Sequence, residues 1–245
     1  MIQKLTFKSI ISKYYLSGLI EQVRWEIDKE NLIIKFNAPS KEMLGEVIYD
    51  KLPLVDSTFG ISNTTQLLKL VDITNDILQL SVTKQGKVCS KLLIADKQFS
   101  LNYALADIIT IPKAGVLPQE PEFDIVVNLE NEDISSMIKA QSALDNNEIV
   151  LIQPALSSDA EPEIEFIFGG DVEYANKVSY YLKNPIIKTP SQYRLYFNST
   201  LIKQILSSNK DQEQGTLSIS LHGLIKLEFK TDGLISKYYI VQKEI

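Results

Sequence analysis

The feature that most constrains the fold is a plan that recurs four times along the chain. In each unit one strand leads into a short amphipathic helix, and a run of three or more strands follows; the units start near residues 2, 55, 123 and 192. A repeat of this kind has to be identified before any single motif is interpreted. Because the period of roughly 55–70 residues exceeds that of common solenoid units, the pattern predicts duplicated half-domains.

Most of the sequence between the helices has the character of strands, being rich in β-branched and aromatic residues or alternating with a period of two. The predicted strands cover residues 31–39, 43–50, 77–84, 99–106, 123–129, 148–153, 163–168, 178–183, 193–197, 216–221, 225–229 and 237–241. Glycine-bearing turns separate several of them. Numerous strands with few helices indicate the α+β class.

A proline-bearing segment divides the chain near its middle. Residues 109–124 contain Pro112, Pro118 and Pro121, and proline resists both a helix interior and the centre of a sheet. The segment is therefore predicted to link two halves of ordinary domain size. We expect an N-terminal domain over residues 1–110, a connector over 111–122 and a C-terminal domain over 123–245.

The predicted helices combine one apolar stripe with an opposite face of Ser, Thr, Gln, Asn and Lys. Their bodies are taken as residues 7–19, 63–71, 134–144 and 199–210, and none of the chain's 31 acidic residues falls inside them. Asp72, Glu132 and Asp133 lie just outside. The lysines within the bodies are Lys8, Lys13, Lys69, Lys139, Lys203 and Lys210.

Two interpretations of these helices stay open. The ordinary one is that exposed helix faces are polar and often carry lysine. Such faces use Glu as freely as Lys, however, because helix propensity and i,i+4 pairs favour it. The second interpretation is that all the helices face one anion. A phosphate backbone repels carboxylates, and sparse lysines without arginine or interleaved aromatic residues would bind it weakly and without reading its sequence.

Bulk composition narrows the class of protein. The net charge of −6 by itself argues against binding nucleic acid or an anionic membrane. Cys89 is the one cysteine, which excludes an internal disulfide and favours a reducing compartment. The sequence has neither a long apolar run nor the apolar start of a signal peptide. We therefore expect a cytoplasmic protein, in the host cytoplasm if viral, with no membrane partner.

The sequence offers little that could carry catalysis. It has no G-x-x-x-x-G-K-[ST], G-x-G-x-x-G, H-E-x-x-H or C-x-x-C motif. The lone His222 is expected to pack or to cap a turn, and Cys89 to be a small core residue. Pairs of neighbouring carboxylates are expected from an acidic exterior. The chain is therefore predicted to be no enzyme and to hold neither metal nor cofactor.

The whole chain resembles the DNA sliding clamps. The stretch "STFGISNTTQLLKLVDI" (57–73) is similar to the family's strand leading into the second helix, and residues 217–245, which include "KYYIV", are similar to its last hairpins. The repeated plan and the mid-chain connector fit the family over the full length. The sequence looks closest to the tailed-phage type, with a C-terminal half similar to proliferating cell nuclear antigen.

The resemblance implies a DNA clamp fold: two topologically similar domains, with antiparallel sheets outside and four helices lining a central pore. A two-domain subunit implies a homotrimeric ring around double-stranded DNA, held without sequence preference. The lysines named above would then face the DNA. Such a clamp is a processivity factor that tethers the replicative DNA polymerase. Since the chain has no ATPase signature, an ATP-dependent clamp loader would place it on DNA.

The resemblance also implies two protein-binding surfaces. A partner-peptide pocket would be formed by Val116, Leu117, Pro118, Leu224, Tyr239, Ile240 and Val241. Ring closure would pair edge strands through Phe99, Leu101, Tyr103, Val178, Tyr180 and Tyr181. For Tyr239 and Ile240, and for the three interface tyrosines, the alternative is that they belong to the core.

Two other functions remain as alternatives. A β-rich structural or assembly protein built from duplicated units would tolerate lysine-to-glutamate changes at Lys69, Lys139 and Lys203. A hydrolase that uses surface carboxylates is disfavoured, because the sequence shows no positioned nucleophile and base.

Overall fold

A computed structural model describes residues 1–86, 88–145, 148–155, 162–170, 175–188, 192–212 and 214–244. The chain divides into two compact units, which are described separately. Unit 1 comprises Met1–Val116 with Asp232–Ser236, and unit 2 comprises Leu117–Thr231 with Lys237–Ile245. The first division, between residues 116 and 117, falls inside the segment predicted as the connector.

Unit 1 contains two helices and two antiparallel sheets. Its elements are β1 (Ile2–Gln3), α1 (Lys4–Tyr15), β2 (Val23–Asp28), β3 (Asn31–Asn37), β4 (Met43–Tyr49), β5 (Ser57–Ile61), α2 (Thr64–Asp72), β6 (Ile77–Gln85), β7 (Val88–Ala95) and β8 (Ser100–Ala104). One sheet has the order β1-β6-β7-β8, and the other contains β5-β2-β3-β4. All the strand pairs described here are antiparallel.

The core of unit 1 forms where α1 packs on the second sheet. The rings of Phe7 and Tyr14, both from α1, meet Trp25 of β2 edge-on at centroid distances of 5.9 and 6.4 Å. Phe59 of β5 lies opposite Trp25 in the strand register, with the ring centroids 5.7 Å apart. All four side chains are buried. Aromatic packing of this kind fixes the helix against the sheet.

One glycine in this sheet is required by close packing. Gly45 of β4 lies opposite Phe36 of β3, and a Cβ atom added at Gly45 would overlap the Phe36 ring. The aromatic ring therefore lies directly over the glycine backbone, an arrangement that glycine in a strand permits.

Unit 2 repeats the plan. Its elements are β9 (Ile125–Leu129), α3 (Asn131–Ser142), β10 (Ile149–Pro154), β11 (Glu163–Phe168), β12 (Val178–Lys183), β13 (Ile186–Ile187), β14 (Leu195–Asn198), α4 (Ser199–Asn209), β15 (Gln214–Ser220), β16 (Leu224–Thr231) and the greater part of β17 (Leu234–Val241). One sheet has the order β12-β11-β10-β14, and the other contains β13-β9-β15-β16-β17.

The strand orders of the two units are the same. In each unit the first strand joins the last three, and the strand before the second helix joins the first three that follow the first helix. Among the described strands, only the short β13 is additional. The fourfold sequence plan is thereby confirmed, with the quarter-units beginning at β1, β5, β9 and β14.

The bounds of all four helices differ from the prediction, by one residue at each end in α2 (Thr64–Asp72), by one residue at one end in α4 (Ser199–Asn209) and by more in α1 and α3. Helix α1 covers Lys4–Tyr15 rather than residues 7–19, because Leu16 and Ser17 adopt left-handed backbone angles, with φ of 48° and 58°, that end the helix. Helix α3 begins at Asn131, where Glu130 and Asp133 form a capping box. The strands β2 and β7 are absent from the prediction, although the β2 sequence VRWEID alternates between buried and more exposed positions. Between Thr110 and Ile125 the connector contains neither helix nor strand, as its prolines predict.

Candidate nucleic-acid and partner interfaces

The lysines of α1 neutralise the carboxyl-terminal end of α2. Lys4 Nζ donates to the carbonyl oxygens of Asp72 and Thr74 at 2.7 and 2.6 Å. Lys8 Nζ lies 2.5 Å from Asp72 Oδ1. Positive charge is favoured at a helix carboxyl end, where the last carbonyl groups lack helical partners. Lys8 thus has an internal acidic partner, whereas Lys69 of α2 is exposed.

Lys13 does not face solvent. Its side chain is fully buried, so the prediction that it faces DNA is wrong. It lies three residues after the buried Ile10 and directly before the buried Tyr14, on the flank of the apolar stripe of α1. Helix α1 also packs against α2 and β4. Periodicity within one helix does not show which neighbouring element covers such a flank.

The basic residues of unit 2 lie along α3 and α4. Lys139 of α3 is exposed, and Lys203 of α4 is half-buried. Lys210 is exposed directly after the last residue of α4, at the end where the helix dipole favours a cation.

The observed helices are not free of acidic residues, contrary to the prediction. Asp72 ends α2, and Glu132 and Asp133 lie in the first turn of α3. Asp133 is engaged twice: Oδ2 accepts the Glu130 backbone N–H at 2.8 Å, and Oδ1 accepts the Tyr180 hydroxyl at 2.6 Å. Acidic side chains are favoured at a helix amino terminus. The middle turns of each helix still combine lysine with hydroxyl or amide side chains and contain no acid.

The strands predicted to close the ring lie at sheet edges. β8 is an edge of the sheet β1-β6-β7-β8, and β12 is an edge of the sheet β12-β11-β10-β14. On β8, Leu101 is half-buried, and Phe99 just before the strand is 38% exposed. A strand edge presents backbone groups that can pair with another strand.

Tyr103 is a core residue, so its assignment to a subunit interface is wrong. Its ring is 4% exposed. The hydroxyl accepts the Asn63 backbone N–H and donates to the Asn63 carbonyl, both at 3.0 Å. Asn63 in turn caps α2, since its side chain accepts the Gln66 N–H at 2.7 Å. Tyr103 therefore ties β8 to the start of α2.

The tyrosines of β12 face opposite sides of their sheet. Tyr180 is half-buried, and its hydroxyl donates to Asp133; burial, together with that carboxylate, raises the pKa of Tyr180. Tyr181 is 45% exposed, with its hydroxyl 3.1 Å from Glu165. Val178 is half-buried at the start of the strand.

The predicted peptide pocket is only partly exposed. On β17 the side chains alternate, so that Tyr239 is half-buried, Ile240 is fully buried and Val241 is 46% exposed. Ile240 belongs to the core, and its assignment to the pocket is wrong, because residues one apart on a strand face opposite sides. Leu224 of the adjacent β16 is half-buried. In the connector Val116 and Pro118 are exposed and Leu117 is half-buried.

The exposed face of β16 and β17 holds a connector carboxylate that sequence reasoning missed. Glu120 Oε1 lies 2.7 Å from Lys226 Nζ and accepts the Tyr239 hydroxyl at 3.2 Å. Lys226 Nζ also lies 5.0 Å from the centre of the Phe123 ring. Within "LIKLEF" the alternation does identify Lys226 as facing the same side as Leu224. The contact with Glu120 has no local sequence signal.

Charges on the same face also act on Glu228. Burial tends to raise the pKa of this carboxyl group, but the hydrogen bond from Lys230 and the charges of Lys226, Lys230 and Lys237 outweigh it, and the pKa is lowered. Glu228 lies 3.5 Å from Lys226 and 2.6 Å from Lys230. The face therefore carries a continuous row of alternating charges.

The structure also places Cys89 and His222. Cys89 is buried, as predicted, and His222 is exposed in the turn between β15 and β16. Among the described residues no group of three or more His, Cys, Asp or Glu side chains could hold a metal ion. No helix in the described part of the chain is both long and apolar enough to cross a membrane.

Comparison with solved structures identifies the fold. The chain matches the crystal structure of Proliferating Cellular Nuclear Antigen from Entamoeba histolytica with a TM-score of 0.78, covering 99% of this chain and 96% of that chain at 17% sequence identity. The fold is that of this antigen. The predicted α+β clamp fold, with antiparallel sheets and four helices, is confirmed. No family model and no curated protein sequence matches the chain.

Proposed function

We propose that this chain is the subunit of a sliding clamp, a non-enzymatic ring that encircles double-stranded DNA and tethers the replicative DNA polymerase. The observation that carries the proposal is the match of the duplicated fold over 99% of the chain. The acid-free middle turns of the helices support it independently, because a surface that slides on a phosphate backbone has to avoid carboxylates.

The ring is proposed to be a homotrimer closed by strand pairing. The positions of β8 and β12 at sheet edges, among the strands that the structure describes, support this assembly. With Tyr103 assigned to the core, the side chains offered to the neighbouring copy are Phe99, Leu101, Val178 and Tyr181, together with the half-buried ring of Tyr180.

The DNA-facing surface is proposed to comprise Lys69, Lys139, Lys203 and Lys210, with Lys8 contributing to a smaller extent because Asp72 already pairs with it. These side chains would act as mobile positive charges that contact phosphates. They would hold DNA weakly and in a salt-dependent manner, without base readout. Retention then depends on the ring being closed.

Partners follow from this role. An ATP-dependent clamp loader would open the ring, and the polymerase would dock a peptide on the face that includes Leu224, Tyr239 and Val241. A phage replication system is the proposed setting.

Retention on DNA of different topology tests the function. After loading, the protein should stay on nicked circular DNA in salt and slide off linear DNA; equal loss from both would refute encirclement. Light scattering of the purified protein should give the mass of a trimer. A strict monomer at micromolar concentration, with no rings by electron microscopy even beside a loader, would refute the assembly.

Charge reversal separates the clamp from a structural or assembly protein. The triple variant Lys69→Glu, Lys139→Glu and Lys203→Glu should lose retention on circular DNA while remaining trimeric. A matched triple variant at Lys41, Lys51 and Lys188, which lie outside the helices and change the net charge equally, should retain it. If both variants behave like the parent, the structural alternative is favoured.

A further inference from the structure

The connector of unit 2 is bound to its sheet by a charge contact that a second carboxylate could replace. Glu120 lies in a segment without helix or strand, and its side chain is 47% exposed. Lys226 extends from the rigid strand β16 with its side chain only 15% exposed. Glu120 is thus the accessible member of the pair that another carboxylate can displace, whereas Lys226 is fixed on its strand and largely shielded from water.

Lys226 is held in position by several neighbours. The Phe123 ring lies under its ammonium group, at 5.0 Å, where the face of an aromatic ring attracts a cation. Glu228 approaches from the same strand at 3.5 Å, but it is closer to Lys230, at 2.6 Å. Glu120 is the closest carboxylate to Lys226, at 2.7 Å. Without Glu120, the partly buried ammonium group of Lys226 would lose its closest carboxylate, and an unpaired charge at a partly buried site destabilises the protein.

Tyr239 completes the arrangement. Its hydroxyl donates to the same Glu120 oxygen that Lys226 contacts, so an ammonium group and a phenol converge on one carboxylate oxygen. Leu224 lies two residues before Lys226 on β16, and Val241 lies two residues after Tyr239 on β17, so both share this face. The face therefore combines one carboxylate-binding position with apolar side chains beside it.

We propose that this face docks a partner peptide in which a carboxylate is adjacent to an apolar anchor, and that Glu120 is the internal competitor that this carboxylate displaces. The inference rests on the proposed partner-docking role of the face. Because one carboxylate replaces another, Lys226 remains paired throughout the exchange. The apolar anchor supplies the net affinity, and displacement of Glu120 loosens the connector from the sheet.

Matched peptides and variants test the exchange. The probes are a short fluorescein-labelled peptide with one Leu and one Phe flanked by Asp and Glu, and its match with Asn and Gln at the acidic positions. Binding by the full chain is measured by fluorescence anisotropy. In Glu120→Gln we expect the acidic peptide to bind about fivefold more tightly than the amide peptide, as one partly exposed charge-assisted hydrogen bond warrants. In the parent, where one carboxylate replaces another, we expect the two affinities to lie within about twofold of each other.

Only the affinity for the acidic peptide should respond to the variants. Glu120→Gln removes the competitor and should tighten the acidic peptide severalfold while leaving the amide peptide unchanged. Adding Lys226→Gln to Glu120→Gln should bring the acidic peptide down to the affinity of the amide peptide. In the parent, the acidic peptide should also increase hydrogen exchange at the amides of Gln119, Glu120 and Glu122.

Equal binding of the two peptides by Glu120→Gln, no binding of either peptide, or a preference that persists when Lys226→Gln is added to Glu120→Gln would overturn the inference. Light scattering and retention on circular DNA are measured on the same samples. A trimer that is retained on circular DNA but fails the peptide test refutes only the carboxylate exchange. A protein that forms no ring and is not retained on DNA refutes the proposed function itself.

Discussion

Removing the Tyr103 hydroxyl should destabilise the protein, although the residue was first predicted to lie at a subunit interface. In Tyr103→Phe the ring still fills its buried position, but the two 3.0 Å hydrogen bonds with the Asn63 backbone are lost. A buried intramolecular hydrogen bond contributes about 0.5–1.5 kcal/mol net. Because Asn63 is an exposed residue, water can replace part of this bonding, and we expect a loss of about 1–2 kcal/mol in the free energy of unfolding.

Tyr181→Phe is the matched control, since it removes the same atom from a tyrosine that is 45% exposed. Its hydroxyl contacts the Glu165 side chain at the surface, so the expected change is below about 0.5 kcal/mol. Urea unfolding is followed by circular dichroism at several protein concentrations, because assembly makes apparent stability depend on concentration. Equal losses in the two variants, or a Tyr103→Phe loss that disappears on dilution, would refute the assignment of Tyr103 to the core.

Three further predictions concern stability and its dependence on pH. Hydrogen bonds from three backbone N–H groups lower the pKa of Asp96. The ionised carboxylate therefore stabilises the folded protein above the unfolded-state pKa near 3.8, and this stabilisation is lost as the pH falls through the lower folded-state pKa. The melting temperatures of Asp96→Asn and the parent should differ at pH 7 and converge in strong acid, and a difference that stays constant with pH would contradict this. Gly45→Ala should lower the free energy of unfolding by about 1–3 kcal/mol, because the added methyl group overlaps the Phe36 ring. The loss measured by urea unfolding should be smaller in a Phe36→Leu background. An equal loss in both backgrounds would exclude ring overlap as the cause. Lys13→Glu should lower the free energy of unfolding by about 3 kcal/mol or more, because it places a reversed charge at a buried site. Lys69→Glu, at an exposed site, should change the free energy of unfolding by no more than about 0.5 kcal/mol. Similar thermal unfolding of the two variants would contradict the burial of Lys13.

The helix ends show where sequence reasoning about charge was incomplete. The predicted helix bounds leave Asp72, Glu132 and Asp133 outside the helices, which are then free of acidic residues. In the structure Asp72 lies within α2, and Glu132 and Asp133 lie within α3. Helix bounds depend on caps, such as the capping box at Glu130, and on single residues with left-handed backbone angles, such as Leu16. These features act within one turn and are the least certain part of a prediction from pattern.

The sequence alone determined the fourfold plan, the α+β class and most of the strands, because alternation over a few residues and apolar periodicity over a helix are local properties. The sequence did not determine which of the residues predicted to lie at a binding surface are in fact buried. Lys13, Tyr103 and Ile240 are buried by elements that pack on them from elsewhere in the chain. Likewise, the Tyr239 hydroxyl reaches Glu120 across 119 residues of sequence. Only tertiary packing brings such residues together, since their contact requires two separately formed elements to meet at one sheet face.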